Sequence, residues 1–254
     1  QRYGVAIHHS ELVGLIPQEA LVDAAVWYTQ LDQFEKDQIL ETRLYASQSQ
    51  GNFLDELAGG NPTPGGGSAA AYSAAMGAGL VAMVARLSIG KKKYAEVEPE
   101  MKDVLEKAEA LRVKLTKAVD EDAASFEGIM QAFKLPKETD EEIYARAQAI
   151  QDATLHATEV PLQTARGAVD VMEMALQVAK VGNNNAITDS ASGAAMARAA
   201  LISAGYNVRI NVSSLKDTAK ADELLADLKA LEAQADEIED SLRQVLVERG
   251  GLIF

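Results

Sequence analysis

Cysteine is absent from the sequence, and histidine occurs only three times, at His8, His9 and His156. The first absence removes disulfide frameworks and thiolate metal sites. The second argues against a histidine-rich metal centre, so no bound metal is expected. Aromatic residues make up only 5% of the chain while alanine is abundant, so helices with small side chains are expected to approach closely. Positive charge is also short: 24 Lys and Arg stand against 38 Asp and Glu, a formal net charge of −14. So acidic a surface repels phosphate backbones and anionic lipid, which excludes nucleic acid and membrane as expected partners. No charge at all lies between Leu57 and Ala85. That run holds two prolines and three consecutive glycines and is mostly Ala, Gly and Ser, which suits a loop and a buried helix better than a membrane span. The chain as read opens on no charged-then-apolar leader, and a soluble, cytoplasmic protein is expected.

What is present is apolar content enough for a large core, 48% of 254 residues, and long helical patterning. The opening, "YGVAIHHSELVGLIPQEALVDAAVWYTQL", alternates, turns, and then becomes amphipathic behind Pro17, like the end of a domain. A charged bridge follows, from Glu35 to Gln50. The expected division is a remnant plus linker over 1–48 and a helical domain over 49–254. Between Met101 and Phe133 apolar residues recur at spacings of three and four, the signature of one helix face. Asp122 sits on that stripe, between Val119 and Phe126. Thr139 or Asp140 is expected to cap the next helix, which extends to Val181 and should kink or split at Pro161. Asp189 to Ala204 and Ala219 to Glu248 are further helices. "YNVRINVSS", from Tyr206, alternates like a strand; a lone strand has no hydrogen-bond partners, so helix or extended turn is favoured there. The expected fold is all-α, a bundle of long, Ala-rich packed helices, with a short N-terminal α/β remnant.

Five constellations carry potential chemistry, each with a plainer alternative. Asn183, Asn184 and Asn185 exceed what a helix stop and start require, and their amides suit a heterocycle bearing both donors and acceptors. Thr188 and Asp189 follow, the aspartate placed favourably on a helix dipole unless it faces a cleft. Gly65, Gly66, Gly67 and Ser68 open a helix whose free N–H groups can hold an anion, yet the loop lacks a P-loop ending and also fits a tight turn. Lys91, Lys92 and Lys93 suit a helix C-terminus or a carboxylate-rich ligand. Asp122, a carboxylate on a buried stripe, must find a partner, lose its charge, or line a cavity.

Together "PTPGGGSAAAYSAAMGAGLVAMVARLSIGKKKY", "VDEDAASFEGIMQAFKLPK" and "GNNNAITDSASGAAMARAALISAGYNVRIN" resemble the formiminotetrahydrofolate cyclodeaminase family, from about Phe53 onward. The opening segment resembles the end of glutamate formiminotransferase. The resemblance implies an all-helical dimer, or a larger ring of dimers, that binds a folate, with a polyglutamate tail, in a cleft near the interface. It implies no metal and no cofactor; the tetrahydrofolate derivative is the substrate. The implied reaction converts 5-formiminotetrahydrofolate to 5,10-methenyltetrahydrofolate with release of ammonia. Asp122 and Asp189 are the acid/base candidates, with no assignment between them. The glycine loop, Thr188, the asparagines and the lysines are the binding candidates. The alternatives are a methenyltetrahydrofolate cyclohydrolase and a non-catalytic helical oligomerisation module.

Overall fold

The structure, a computed structural model, describes residues 18–31, 34–35, 38–40 and 51–254. The alternating opening with His8 and His9, and most of the charged bridge, lie outside the described residues. The described chain falls into two units, Gln1–Asn52 and Phe53–Phe254. In the first, α1 spans Gln18–Thr29. The second carries the core. A short α2 (Gly51–Leu57) crosses the boundary between the units and leads to α3 (Gly66–Ser88), α4 (Glu98–Phe133), α5 (Asp140–Val181), α6 (Ile187–Val212) and α7 (Thr218–Glu248), with 3-10 turns at Lys92–Val97 and Asn184–Ala186. Among the described residues there is no strand, as the all-α reading requires.

Helix α3 is central and packs on α4 and α6; α5 lies across α4 and α6, and α7 covers α5 and α6. By length and composition α3 is apolar enough to cross a membrane, but 61% of its most apolar window is buried by its neighbours, so it serves as a core helix. Its alanines explain the close approach. Ala70, Ala74, Ala78, Ala82 and Ala85 face Ala194, Ala197, Ala200 and Ala204 in one buried cluster. At the crossing of α3 and α6 even a methyl is too large: a Cβ on Gly77 would lie 2.7 Å from the Gly193 carbonyl oxygen. Gly77→Ala is expected to force the two backbones apart at a cost of about 1–3 kcal/mol, measurable as a lowered midpoint in urea unfolding.

Helix α5 opens with a full capping box. The Glu142 N–H donates to Thr139 Oγ1 at 3.2 Å, and the Thr139 N–H donates to Glu142 Oε2 at 3.1 Å. The expected break at Pro161 does not split the helix, which runs on to Val181. Proline leaves the carbonyl four residues earlier without its donor. Asn211 repairs this: its side-chain amide donates to the Ala157 oxygen at 2.7 Å. That same Asn211 lies in the segment that alternates like a strand, which is the last part of α6. The helix buries Ala204, Val208 and Val212, a spacing of four that the alternation hides.

The α4 stripe is buried only as far as its partner reaches. Met101, Val104, Ala108, Leu115 and Ala118 are core residues, whereas Phe126, Met130 and Phe133 are exposed. Helix α3 runs antiparallel to α4 and begins level with Asp122; past that point α4 still buries Ser125 and Ala132 while its large apolar side chains are exposed.

Candidate active site

Asp122 stands where α3 begins. Its carboxylate accepts the Ser68 hydroxyl at 2.9 Å, and it accepts the Ser68 backbone N–H as well. The N-cap residue of α3, Gly65, offers no side-chain cap. A carboxylate from another helix therefore takes that role, satisfying one of the free N–H groups of the first turn. The approach demands glycine: a Cβ on Gly67 would lie 2.1 Å from Asp122 Oδ1. Burial pushes the Asp122 carboxyl above the usual aspartate range, against the two Ser68 bonds that favour its charge. Beneath it, Ser203 Oγ donates to the Gly66 oxygen at 3.1 Å, and Asn207 Nδ2 donates to the Ser203 oxygen at 2.9 Å. Exposed apolar side chains rim the cluster: Phe126 one turn beyond Asp122 on α4, and Tyr206 and Ile210 beside Asn207 on α6.

The second cluster lies at the far end of α3. Asn183 is fully used as a structural joint. Its N–H donates to Ser88 Oγ at 2.8 Å, its Nδ2 to the Leu87 oxygen at 3.0 Å, and its Oδ1 accepts the Asn185 N–H at 3.1 Å. Arg249, at the end of α7, donates to the Gly182 oxygen at 3.1 Å and to the Ala179 oxygen, closing the last turn of α5. The Asn184 N–H donates to the Tyr94 hydroxyl at 3.0 Å, while Asn184 Oδ1 is buried with no partner. Asp189 lies half-buried in the first turn of α6, Thr188 and Asn185 are exposed, and so are Lys91, Lys92 and Lys93, with the Lys93 ammonium 5.5 Å from the Tyr94 ring centre.

The sequence-derived residues thus form two groups. Ser68, bonded to Asp122, and Ser88, bonded to Asn183, stand near opposite ends of α3, about 30 Å apart at roughly 1.5 Å per residue. The chain does not by itself bring Asp122 and Asp189 together. Four further participants were not singled out from sequence: Ser203, Asn207, Tyr94 and Arg249. Ser203 and Asn207 carried a faint signal, two polar residues one helical turn apart. Tyr94 and Arg249 carried none, since their bonds reach across the fold. Among the described residues no three His, Cys, Asp or Glu side chains gather to hold a metal ion. A cleft of about 560 Å³ between α5, α6 and α7, lined by Arg198, Asp236 and Arg243 among others, shares no residue with either cluster.

Comparison with known proteins finds similar chains. A family model described as formiminotransferase-cyclodeaminase matches residues 49–230. The methenyltetrahydrofolate cyclohydrolase of Methylorubrum extorquens is 48% identical over 194 residues, covering 76% of this chain and 93% of that one. The formimidoyltransferase-cyclodeaminase of Mus musculus is 29% identical over 250 residues, covering 85% of this chain; the match spans only 46% of the mouse protein. The crystal structure of formiminotetrahydrofolate cyclodeaminase from Thermotoga maritima superposes with a TM-score of 0.72 at 29% identity, covering 81% of this chain and 98% of that one.

Proposed function

From the premise that the chain belongs to the formiminotransferase-cyclodeaminase family, we propose that it converts 5-formiminotetrahydrofolate to 5,10-methenyltetrahydrofolate and ammonia. The observation that carries this reading is Asp122, a carboxylate held in fixed geometry against a glycine-opened helix with its proton affinity raised. The chemistry needs such a group. N10 attacks the formimino carbon and gives up its proton; the tetrahedral carbon then holds N5, N10 and the amine. Protonation of that amine lets the C–N bond break, ammonia leaves, and the N5–C–N10 bridge becomes the methenyl cation. A carboxylate whose pKa lies nearer neutrality serves both transfers and opposes the developing positive charge. The opening segment, with its resemblance to the end of glutamate formiminotransferase, supports the deaminase, because that transferase supplies the formimino substrate.

A second reading, the cyclohydrolase, is favoured by the 48% identity to the Methylorubrum enzyme. There water adds to the methenyl carbon, and the same carboxylate takes a proton from it. The two differ in one assay on the purified protein. With 5-formiminotetrahydrofolate, a cyclodeaminase releases ammonia as the near-ultraviolet methenyl absorbance grows. With 5,10-methenyltetrahydrofolate, a cyclohydrolase removes that absorbance. The expected outcome is ammonia release matching chromophore growth; loss in the second sample alone would establish the cyclohydrolase, and no change above the enzyme-free rate would end both.

The protein would act as a pair of subunits. Asp122 and Asn183 lie about 30 Å apart along α3, and Asp189, about one turn from the Gly77–Gly193 crossing, is still about 20 Å from the Asp122 level, too far for both to serve one N5–C–N10 bridge. Met76, near the midpoint of α3, is 42% exposed, and Phe126, Phe133, Tyr206 and Ile210 are exposed around the Asp122 end. Exposed apolar side chains of this kind support an interface there. A twofold pairing along α3, with the two copies antiparallel, would set the Asp122 end of one subunit beside the Asn183–Asp189 end of the other.

A further inference from the structure

The geometry points to Tyr94 as a positioning residue of this site, its hydroxyl fixing Asn184 so that the Asn184 amide meets an N–H donor edge of the bound pterin ring. Three observations meet there. The 3-10 turn at Lys92–Val97 breaks at Tyr94, whose backbone leaves the helical range at φ −115° and ψ 16°. The Tyr94 hydroxyl then accepts the Asn184 N–H at 3.0 Å and lies 3.5 Å from Asn183 Oδ1, spanning the pair of asparagines. Finally, Asn184 Oδ1 is withdrawn from solvent with no donor among the described residues, and its amide nitrogen makes no hydrogen bond there either. An unpaired buried acceptor costs stability in the empty protein. Its neighbour Asn183 shows what a purely structural asparagine looks like here, since every polar atom of its side chain is engaged. Asn184 instead has a tethered backbone and a side chain that makes no hydrogen bond among the described residues. The missing partner must be a donor, and the amino-pyrimidine edge of a tetrahydropterin presents N–H groups side by side.

This inference rests on the folate reading, and its test separates the two. The probe is 5-formyltetrahydrofolate, titrated by calorimetry into the full chain. No binding to the wild-type protein would overturn the folate reading and this inference with it. With binding established, Tyr94→Phe is expected to weaken it about tenfold, the order of one hydrogen bond. In an Asn184→Ala background the same change should add nothing, because Tyr94 acts through that amide. Equal loss in both backgrounds would make Tyr94 merely structural and overturn the proposal. Asn184→Leu keeps the bulk and removes the orphaned acceptor, so it should raise Tm while weakening the ligand. Unchanged affinity in that variant would overturn the proposal even if Tyr94→Phe failed to fold.

Discussion

Asp122→Asn is expected to reduce kcat by at least about a hundredfold, the usual contribution of a positioned acid/base, without lowering Tm. Most changes to a half-buried polar residue destabilise, so the second half of that result is the informative one. The Asp122 carboxyl has its pKa raised by burial. A group with a raised folded pKa contributes its stability at low pH, below the ordinary aspartate value. That contribution is lost as pH climbs through the folded pKa. At neutral pH the ionised carboxylate is therefore a burden on the fold. Asparagine removes the charge and keeps an oxygen to accept the Ser68 hydroxyl and N–H, so Tm should hold or rise. The pH profile gives an independent check. The wild-type rate should fall on the acid side as Asp122 takes up its proton, with a midpoint above the ordinary aspartate range, and the residual rate of the variant should lack that limb. Chemical denaturation and initial rates on the same samples decide it. A destabilised variant with near-normal turnover would reduce Asp122 to a helix cap.

Cap and catalyst are not exclusive, and this explains what the sequence could and could not reveal. Asp122 was legible because helical period alone marks it: a carboxylate on an apolar stripe needs an explanation wherever the partners lie. The long helices were legible for the same reason, and so was the Thr139 cap, whose partner Glu142 is three residues away. That the helix does not split at Pro161 was not legible, because the repair comes from Asn211, on another helix. The strand-like alternation at the end of α6, Val208, Ile210 and Val212, was rightly set aside for want of a strand partner; the helix there buries Ala204, Val208 and Val212 at a spacing of four. The site was only half legible. Residue types named both polar ends, yet nothing local reveals that one straight helix separates them, or that Tyr94 and Arg249 reach in from distant segments to hold the asparagines.

That separation leads to the second large effect. Asp122→Asn and Asp189→Asn, purified apart, should each fall below about one hundredth of wild-type turnover. Mixed in equal amounts and allowed to exchange subunits, they should recover about a quarter of it. In a twofold pair half of the random dimers combine one of each variant, and each such dimer carries one site with both aspartates intact and one with neither. Restoration of this size arises only if a site takes Asp122 from one subunit and Asp189 from the other. If both served a site within one subunit, mixing would restore nothing. If Asp189 only supports the start of α6, its single variant would stay active and the question would end there. A Met76→Asp variant, which would place a charge at the middle of α3 in the proposed pairing, supplies the control. It should sediment as a monomer, keep its helical content, and fail to complement either variant, because two half-sites at opposite ends of α3 have no other way to meet.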